Sequence, residues 1–258
     1  MDYRHKKILF RRLLLLQSCW SFERMQGLGL AYALEPWLRR CWKDRNQRAE
    51  SMARHAGEFF NTQPYMASYV AGVVCALEED LARRPISARA AGAARIKALK
   101  ATLAGTLAGI GDALFWGTIR PFAAAAAAGV GLGLWSMGFM VFPAAMVATY
   151  LFLHNAPSLW IRWRAIEQGY RWKDRIAIEM RKIPWQGWIL WTRRAGLALS
   201  IVLTVCAMYL FRGEVDPGLG FGALAAYGLT LAFWPKAGWK SLYAATVTVA
   251  TLIAAVTG

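Results

Sequence analysis

Leu9, Leu13, Leu16 and Trp20 recur at offsets of four, three and four, which lays one apolar stripe along a helix. The same segment carries Arg4, Lys6, Lys7, Arg11 and Arg12 against a single acid, Asp2, so the stripe runs beside a basic face. This pattern predicts an N-terminal amphipathic helix lying in a membrane interface; a helix docking on another subunit has the same pattern. The stretch LQSCWSFERMQGLGLAYALEP then mixes apolar positions with Gln17, Glu23, Arg24, Gln26 and Glu35. Those polar groups are too many for a lipid-exposed span, so it is expected to be partly buried in protein. Residues 39–54 hold six basic residues and two acids with no apolar run, and read as a solvated cytoplasmic helix or loop.

The next apolar stretch, in GEFFNTQPYMASYVAGVVCALEED, is interrupted at its start by Pro64, which pushes the residue before it towards extended geometry. Residues 64–77 are only 14 positions, too short to cross about 30 Å of hydrocarbon as a helix. Asn61, Thr62 and Gln63 flank one end, and Glu78, Glu79 and Asp80 the other. A short apolar segment opened by polar, proline-interrupted backbone predicts a re-entrant or broken helix at a transport site; a plain core helix with an ordinary cap is the alternative. Residues 81–100 add six basic residues and no acid.

Residues 121–161 contain no Asp, Glu, Lys or Arg, a run of 41 where one span needs roughly 20. Pro143 and the glycines at 129, 131, 133 and 138 offer breaks, leaving a hairpin of two short spans and one long tilted helix both open. Residues 162–194 hold nine Lys or Arg against three acids, a cytoplasmic signal, and Trp185, Trp188 and Trp191 suit a headgroup-level belt. Further spans are expected at 195–211, 219–234 and 241–257, with a turn at Asp216-Pro217-Gly218 and the C-terminus outside.

These uncharged runs make the chain an integral membrane protein, and that changes the meaning of its charge. With 31 Lys+Arg against 15 Asp+Glu the formal net charge is +16. In a soluble protein this would suggest nucleic acid; here it predicts basic loops held on the cytoplasmic side and no nucleic-acid partner. Cys19, Cys41, Cys75 and Cys206 are scattered, giving no case for a disulfide framework, a metal site or a cofactor. His5 and His55 lie in charged segments and are expected to be solvated, and His154 is expected at the membrane boundary. With no P-loop, GxSxG or HExxH, no catalytic residue is expected, and no signal peptide is apparent.

One acid stands out. The stretch GTLAGIGDALFWGTIRP, residues 105–121, sets Asp112 inside an apolar, glycine-rich run that ends in Trp116, Arg120 and Pro121. An ionised carboxylate there costs several kcal/mol unless partners or water reach it. Gly105 and Gly109 have the small-xxx-small spacing of helices that pack closely in lipid. Asp112 is therefore a candidate functional residue; a bland role would be the N-cap of a short helix starting near Leu114. The tetrapeptide Gly109-Ile110-Gly111-Asp112 also matches the GxGD signature of intramembrane aspartyl proteases. That chemistry needs a second membrane aspartate, which the other uncharged segments do not supply.

Three stretches in order, LQSCWSFERMQGLG, EFFNTQPYMASYVAGVVCALEE and LAGIGDALFWGTIRP, closely resemble the IID membrane component of mannose/fructose/sorbose-family sugar phosphotransferase systems (PTS). LHNAPSLWIRWRAIEQGY fits the family's later region, so the likeness covers about residues 13–170. It implies an all-α, polytopic, multi-pass subunit of the bacterial inner (plasma) membrane with re-entrant or broken helices. A single IID-type domain over 1–258 would comprise N-terminal interfacial and cytoplasmic helices (1–60), a motif-bearing re-entrant core (61–121) and hydrophobic spans with the basic loop 162–194 (122–258). The implied partners are a IIC membrane subunit in a hetero-oligomer, the cytoplasmic phosphocarriers IIA and IIB, a hexose and the lipid bilayer. The chain itself is expected to be a non-catalytic subunit without cofactor, because the family's phosphorylated histidines lie on IIA and IIB. At the motif positions Asn61, Gln63, Asp112 and Trp116 are the expected substrate-binding residues, with Glu78 and Arg120 as second choices. A regulatory or scaffolding subunit without transport is the alternative. The short loop between the last spans, the basic 81–100 segment and the plain 123–128 alanine run depart from the family pattern.

Overall fold

The computed structural model describes residues 1–210, and among these every regular element is helical. The spans expected at 219–234 and 241–257, the turn between 212 and 218 and the side of the C-terminus lie outside the described residues. The chain divides into two compact units, Met1–Ala113 with Asn155–Trp185, and Leu114–His154 with the chain from Gln186 onward.

In the first unit, α1 (Tyr3–Leu13), α2 (Gly27–Cys41), α3 (Arg45–Gly57), α4 (Ala67–Ala82) and α5 (Ile86–Gly111) follow one another. The predicted leucine stripe forms, and Leu9, Leu13 and Leu16 are buried inside this unit. Trp20 stays half exposed, edge-on to the exposed Phe22. On the basic face of α1, Lys6 pairs with Glu167 at 2.9 Å and Arg12 with Glu35 at 3.0 Å. Gly29 of α2 lies against the backbone at Leu16, where a Cβ would stand 1.9 Å from the carbonyl oxygen.

Helix α4 is the centre of the unit, with residues 67–78 all buried. A helix apolar on every side has no solvated face to offer and goes to the middle of the packing. Its small residues set how close the neighbours come. The long helix α7 (Phe142–Trp172) crosses α4 through a reciprocal pair of glycines. A Cβ on Gly72 would lie 2.2 Å from the Ile166 carbonyl oxygen, and one on Gly169 2.2 Å from that of Tyr69. Because backbone cannot yield as a side chain can, Gly72→Ala and Gly169→Ala are each expected to cost about 1–3 kcal/mol. Thermal unfolding in detergent checks this, with Gly105→Ala as the control, since no described atom lies within 4 Å of a Cβ there. Gly105 and Gly109 thus do not mediate close packing within the described chain; of the three glycines only Gly111 does.

In the second unit, α6 (Arg120–Ser136) ends where the chain reverses at Gly138, whose φ of +80° only glycine adopts readily. Within this unit α6 and the start of α7 therefore form a helical hairpin, with Gly131 against Met146. Between α5 and α6 the helix continues unbroken through a π-helical segment, Asp112–Ile119. Pro121 supplies the reason: it has no N–H for the carbonyl one turn back, and widening the preceding turns relieves that mismatch. After a 3₁₀ turn (Lys173–Arg175), α8 (Ile176–Lys182) precedes α9 (Trp185–Leu210). Among the described residues two helices are long and apolar enough to cross a bilayer, the continuous Ile86–Ser136 and Trp185–Ala207. Of the predicted tryptophan belt, Trp191 is exposed and Trp188 half exposed, whereas Trp185 is buried with its indole donating to the Met180 carbonyl at 3.1 Å.

Candidate functional site

The broken entry to α4 is held by side chains. Gln26 pairs with the Thr62 peptide in both directions, its Nε2 donating to the carbonyl at 2.8 Å and its Oε1 accepting the amide at 3.2 Å. The Thr62 hydroxyl donates to the Ala104 carbonyl of α5 at 2.8 Å. Gln63 Oε1 accepts the backbone amides of Tyr65 at 2.7 Å and Met66 at 3.2 Å, so the glutamine closes the proline turn that leads into α4. These bonds satisfy the irregular backbone, the condition for its survival away from water. Gln63 is buried, and its Nε2 has no hydrogen-bond partner among the described residues. Asn61, two residues earlier, is exposed.

Gly111 brings α5 onto this turn. A Cβ there would sit 2.6 Å from Gln63 Cβ and 2.7 Å from Met66 Cγ. The next residue, Asp112, is exposed. Its backbone angles, φ −64° and ψ −42°, are those of a helix interior, so it does not cap a new helix. Gln63 and the Asp112 position are thus brought together, with Asn61 on the same turn. Behind the turn, the buried Arg162 donates to the Leu13 carbonyl at 3.3 Å and lies over the Tyr65 ring at 4.8 Å, making no ion pair among the described residues.

Glu78 lies elsewhere, eleven residues along α4 from Ala67, about 16 Å at 1.5 Å per residue. It is fully buried. Its Oε1 accepts from Arg54 at 2.6 Å and His55 at 3.0 Å, and its Oε2 from the Trp42 indole and the Ser51 hydroxyl, each at 2.9 Å. Burial alone would raise this carboxyl, but the His55 hydrogen bond and the Arg54 charge outweigh it and hold the pKa at about 2. Burial pushes the His55 pKa down despite Glu78, so the imidazole stays neutral and donates Nε2–H to the carboxylate. His55 is therefore not solvated, as its charged sequence context suggested. Residues 51, 54 and 55 share one face of α3, and that face is the packed one.

Trp116 and Arg120 belong to the second unit. The Arg120 guanidinium lies 5.3 Å over the Trp116 ring, and Trp116 is 6.3 Å from the His154 ring, which in turn stacks on Tyr150 at 5.8 Å. Trp116 is half buried and Arg120 exposed. Gln26, Thr62, His55 and Arg162 were not singled out by sequence reasoning as site or hub residues. Gln26 and Thr62 carried one signal, as polar residues inside the apolar motifs ERMQGLG and NTQPYM.

The sequence model of the PTS system mannose/fructose/sorbose family IID component matches residues 2–184. The PTS system mannose-specific EIID component of Escherichia coli K12 is 37% identical over 166 residues, covering 63% of this chain and 53% of that protein. The fructose permease IID component of Bacillus subtilis 168 is 34% identical over 163 residues, covering 63% and 54%. This chain spans about half the length of the curated relatives it matches. A chain from the cryo-EM structure of the mannose transporter ManYZ in complex with microcin E492 superposes with a TM-score of 0.54 at 25% identity, covering 90% of this chain and 96% of that one.

Proposed function

This chain belongs to the IID components of the mannose/fructose/sorbose-family phosphotransferase system, and from that premise we propose that it forms, with a IIC subunit, the membrane pathway for a hexose phosphorylated during uptake. Its place is the bacterial inner membrane, crossed several times, with IIA and IIB passing phosphate from phosphoenolpyruvate on the cytoplasmic side. The chain carries no step of that covalent chemistry; its work is to bind and pass the sugar. The observation that carries the reading is the turn before α4, held open by Gln26 and Thr62, with Gln63 Nε2 lacking an acceptor among the described residues and Asp112 exposed beside it.

Sugars are recognised by planar amides and carboxylates that meet paired hydroxyls, and by an aromatic ring against the apolar face. In the first unit Asn61, Gln63 and Asp112 are groups of the first kind; in the second unit, taken by itself, Trp116 is the candidate ring, with the Arg120 guanidinium over it. Glu78 already accepts four protein donors, so its role is to fix α3 against α4 and thereby the cradle's position.

Purification of the chain from its native membranes in gentle detergent tests the assembly. A second polytopic subunit is expected in fixed ratio, and the pair should phosphorylate a hexose from phosphoenolpyruvate when IIA and IIB are added. A chain that arrives alone and monodisperse would overturn this reading in favour of a regulatory or scaffolding subunit.

A further inference from the structure

The second half of α7 carries a groove of about 240 Å³ lined by none of the residues proposed to meet the sugar. Arg164, Glu167, Gln168, Arg171 and Trp172 line it, at successive offsets of three, one, three and one, which is a single face of one helix. Its floor is built. Trp172 stacks on Tyr69 of α4 at 5.9 Å and 13°, and the Tyr69 hydroxyl donates to Gln168 Oε1 at 2.9 Å. That bond fixes which end of the amide faces inward and leaves the two Nε2 hydrogens for an occupant.

The charge of the groove is positive. Glu167 is matched by Lys6 at 2.9 Å and by Arg171, and the Lys6 hydrogen bond holds its carboxyl below the usual range. Arg164 lies 5.0 Å over the Trp160 ring and has no carboxylate partner among the described residues. Two cations of the lining, Arg164 and Arg171, thus face one acid, Glu167, which Lys6 from outside the groove already pairs. Two guanidiniums about two turns apart offer forked donors to several oxygens at once, the geometry that suits phosphate better than a single carboxylate. Glu167 can accept from a hydroxyl next to that phosphate, and Trp172 gives a wall for the carbon skeleton.

We propose that this groove binds a phosphate ester that also carries hydroxyls, with Arg164, Arg171 and Gln168 on the phosphate and Trp172 against the carbon frame. The same chemistry is found in a phosphatidylglycerol headgroup and in a soluble hexose phosphate, and the experiment separates them. Full-length chain is placed in phosphatidylcholine nanodiscs, and mannose 6-phosphate binding is read by ³¹P line broadening. In parallel, nanodiscs containing phosphatidylglycerol are dissociated in a mass spectrometer and the retained lipid is counted. The wild type should retain one of the two probes, and Arg164→Gln with Arg171→Gln should weaken that retention by at least about tenfold. Unphosphorylated mannose should not compete. Should the double variant fail to fold, Arg164→Gln alone, at an exposed position without an ion pair, is expected to give a smaller loss in the same direction. Retention of neither probe, or equal retention by folded variants, would overturn the assignment, and it would do so whether or not the chain transports sugar.

Discussion

Replacing Glu78 by alanine is expected to lower the stability of the chain by about 3–5 kcal/mol, as removal of one side of a buried ion pair does elsewhere. The carboxylate is fully buried and accepts four donors from Trp42, Ser51, Arg54 and His55. Its loss strands the Arg54 charge and three further donors at once, and leaves Arg54 only the Ser51 hydroxyl, which accepts from it at 3.3 Å. Glu78→Gln keeps the shape but not the charge, and its amide presents two hydrogens to groups that are themselves donors, so it should be nearly as damaging. Thermal unfolding of the detergent-solubilised protein, followed by tryptophan fluorescence, reads both. A change within about 0.5 kcal/mol, the range of an ordinary surface substitution, would show that the cluster contributes little.

The same cluster sets a pH dependence with a definite sign. The Glu78 pKa is held at about 2, below its ordinary 4.5, so its contribution is complete above pH 4.5 and lost as pH falls from there through 2. His55 is kept neutral by burial, its pKa lowered from 6.5, so unfolding lets it take up a proton as soon as the pH drops below that value. Both act in one direction. The unfolding midpoint should decline from about pH 6.5 downward and more steeply below 4.5. Glu78→Gln should remove the steeper part.

What could be read without coordinates was the pattern of polarity, and it was read unevenly for a physical reason. The leucine stripe of α1, the polar break before α4 and the hairpin within 121–161 follow from local spacing, proline and glycine, which act over a few residues. The burial of His55 does not. It depends on Glu78, 23 residues away, taking a position that turns one face of a charged helix inward. A segment of high charge looks solvated until its single buried partner is known. Gly105 and Gly109 show the opposite error: their spacing advertises close packing, yet of the three glycines only Gly111 meets another element among the described residues, the turn at Gln63. The π-helical segment was likewise invisible as geometry, although Pro121, which explains it, was in plain sight. The candidate sugar ligands came from motif positions, and coordinates add that Gln63 and the Asp112 position adjoin while Glu78 sits at the far end of α4.

Asp112→Asn is expected to abolish sugar uptake, by at least about a hundredfold, while the protein still inserts and keeps its membrane partner. Asp112 lies in the continuous helix Ile86–Ser136, which is apolar enough to span a bilayer, and its side chain is exposed on the described surface. A carboxylate turned to hydrocarbon is too costly to persist there, so the position must face water, a partner or substrate. It cannot be excused as a helix cap, since the helix runs through it. Asparagine has the same size and leaves the backbone undisturbed, so what it removes is charge and a second acceptor oxygen. A site that depends on such an acceptor for a substrate hydroxyl loses far more than the fold does, because the hydroxyl is then left unpaired away from water. Uptake of radiolabelled mannose and fructose into cells carrying the variant, with co-purification of the partner subunit as the control, decides it. Wild-type uptake would confine Asp112 to a structural role; lost uptake together with a lost partner would place it at the subunit contact instead of the sugar.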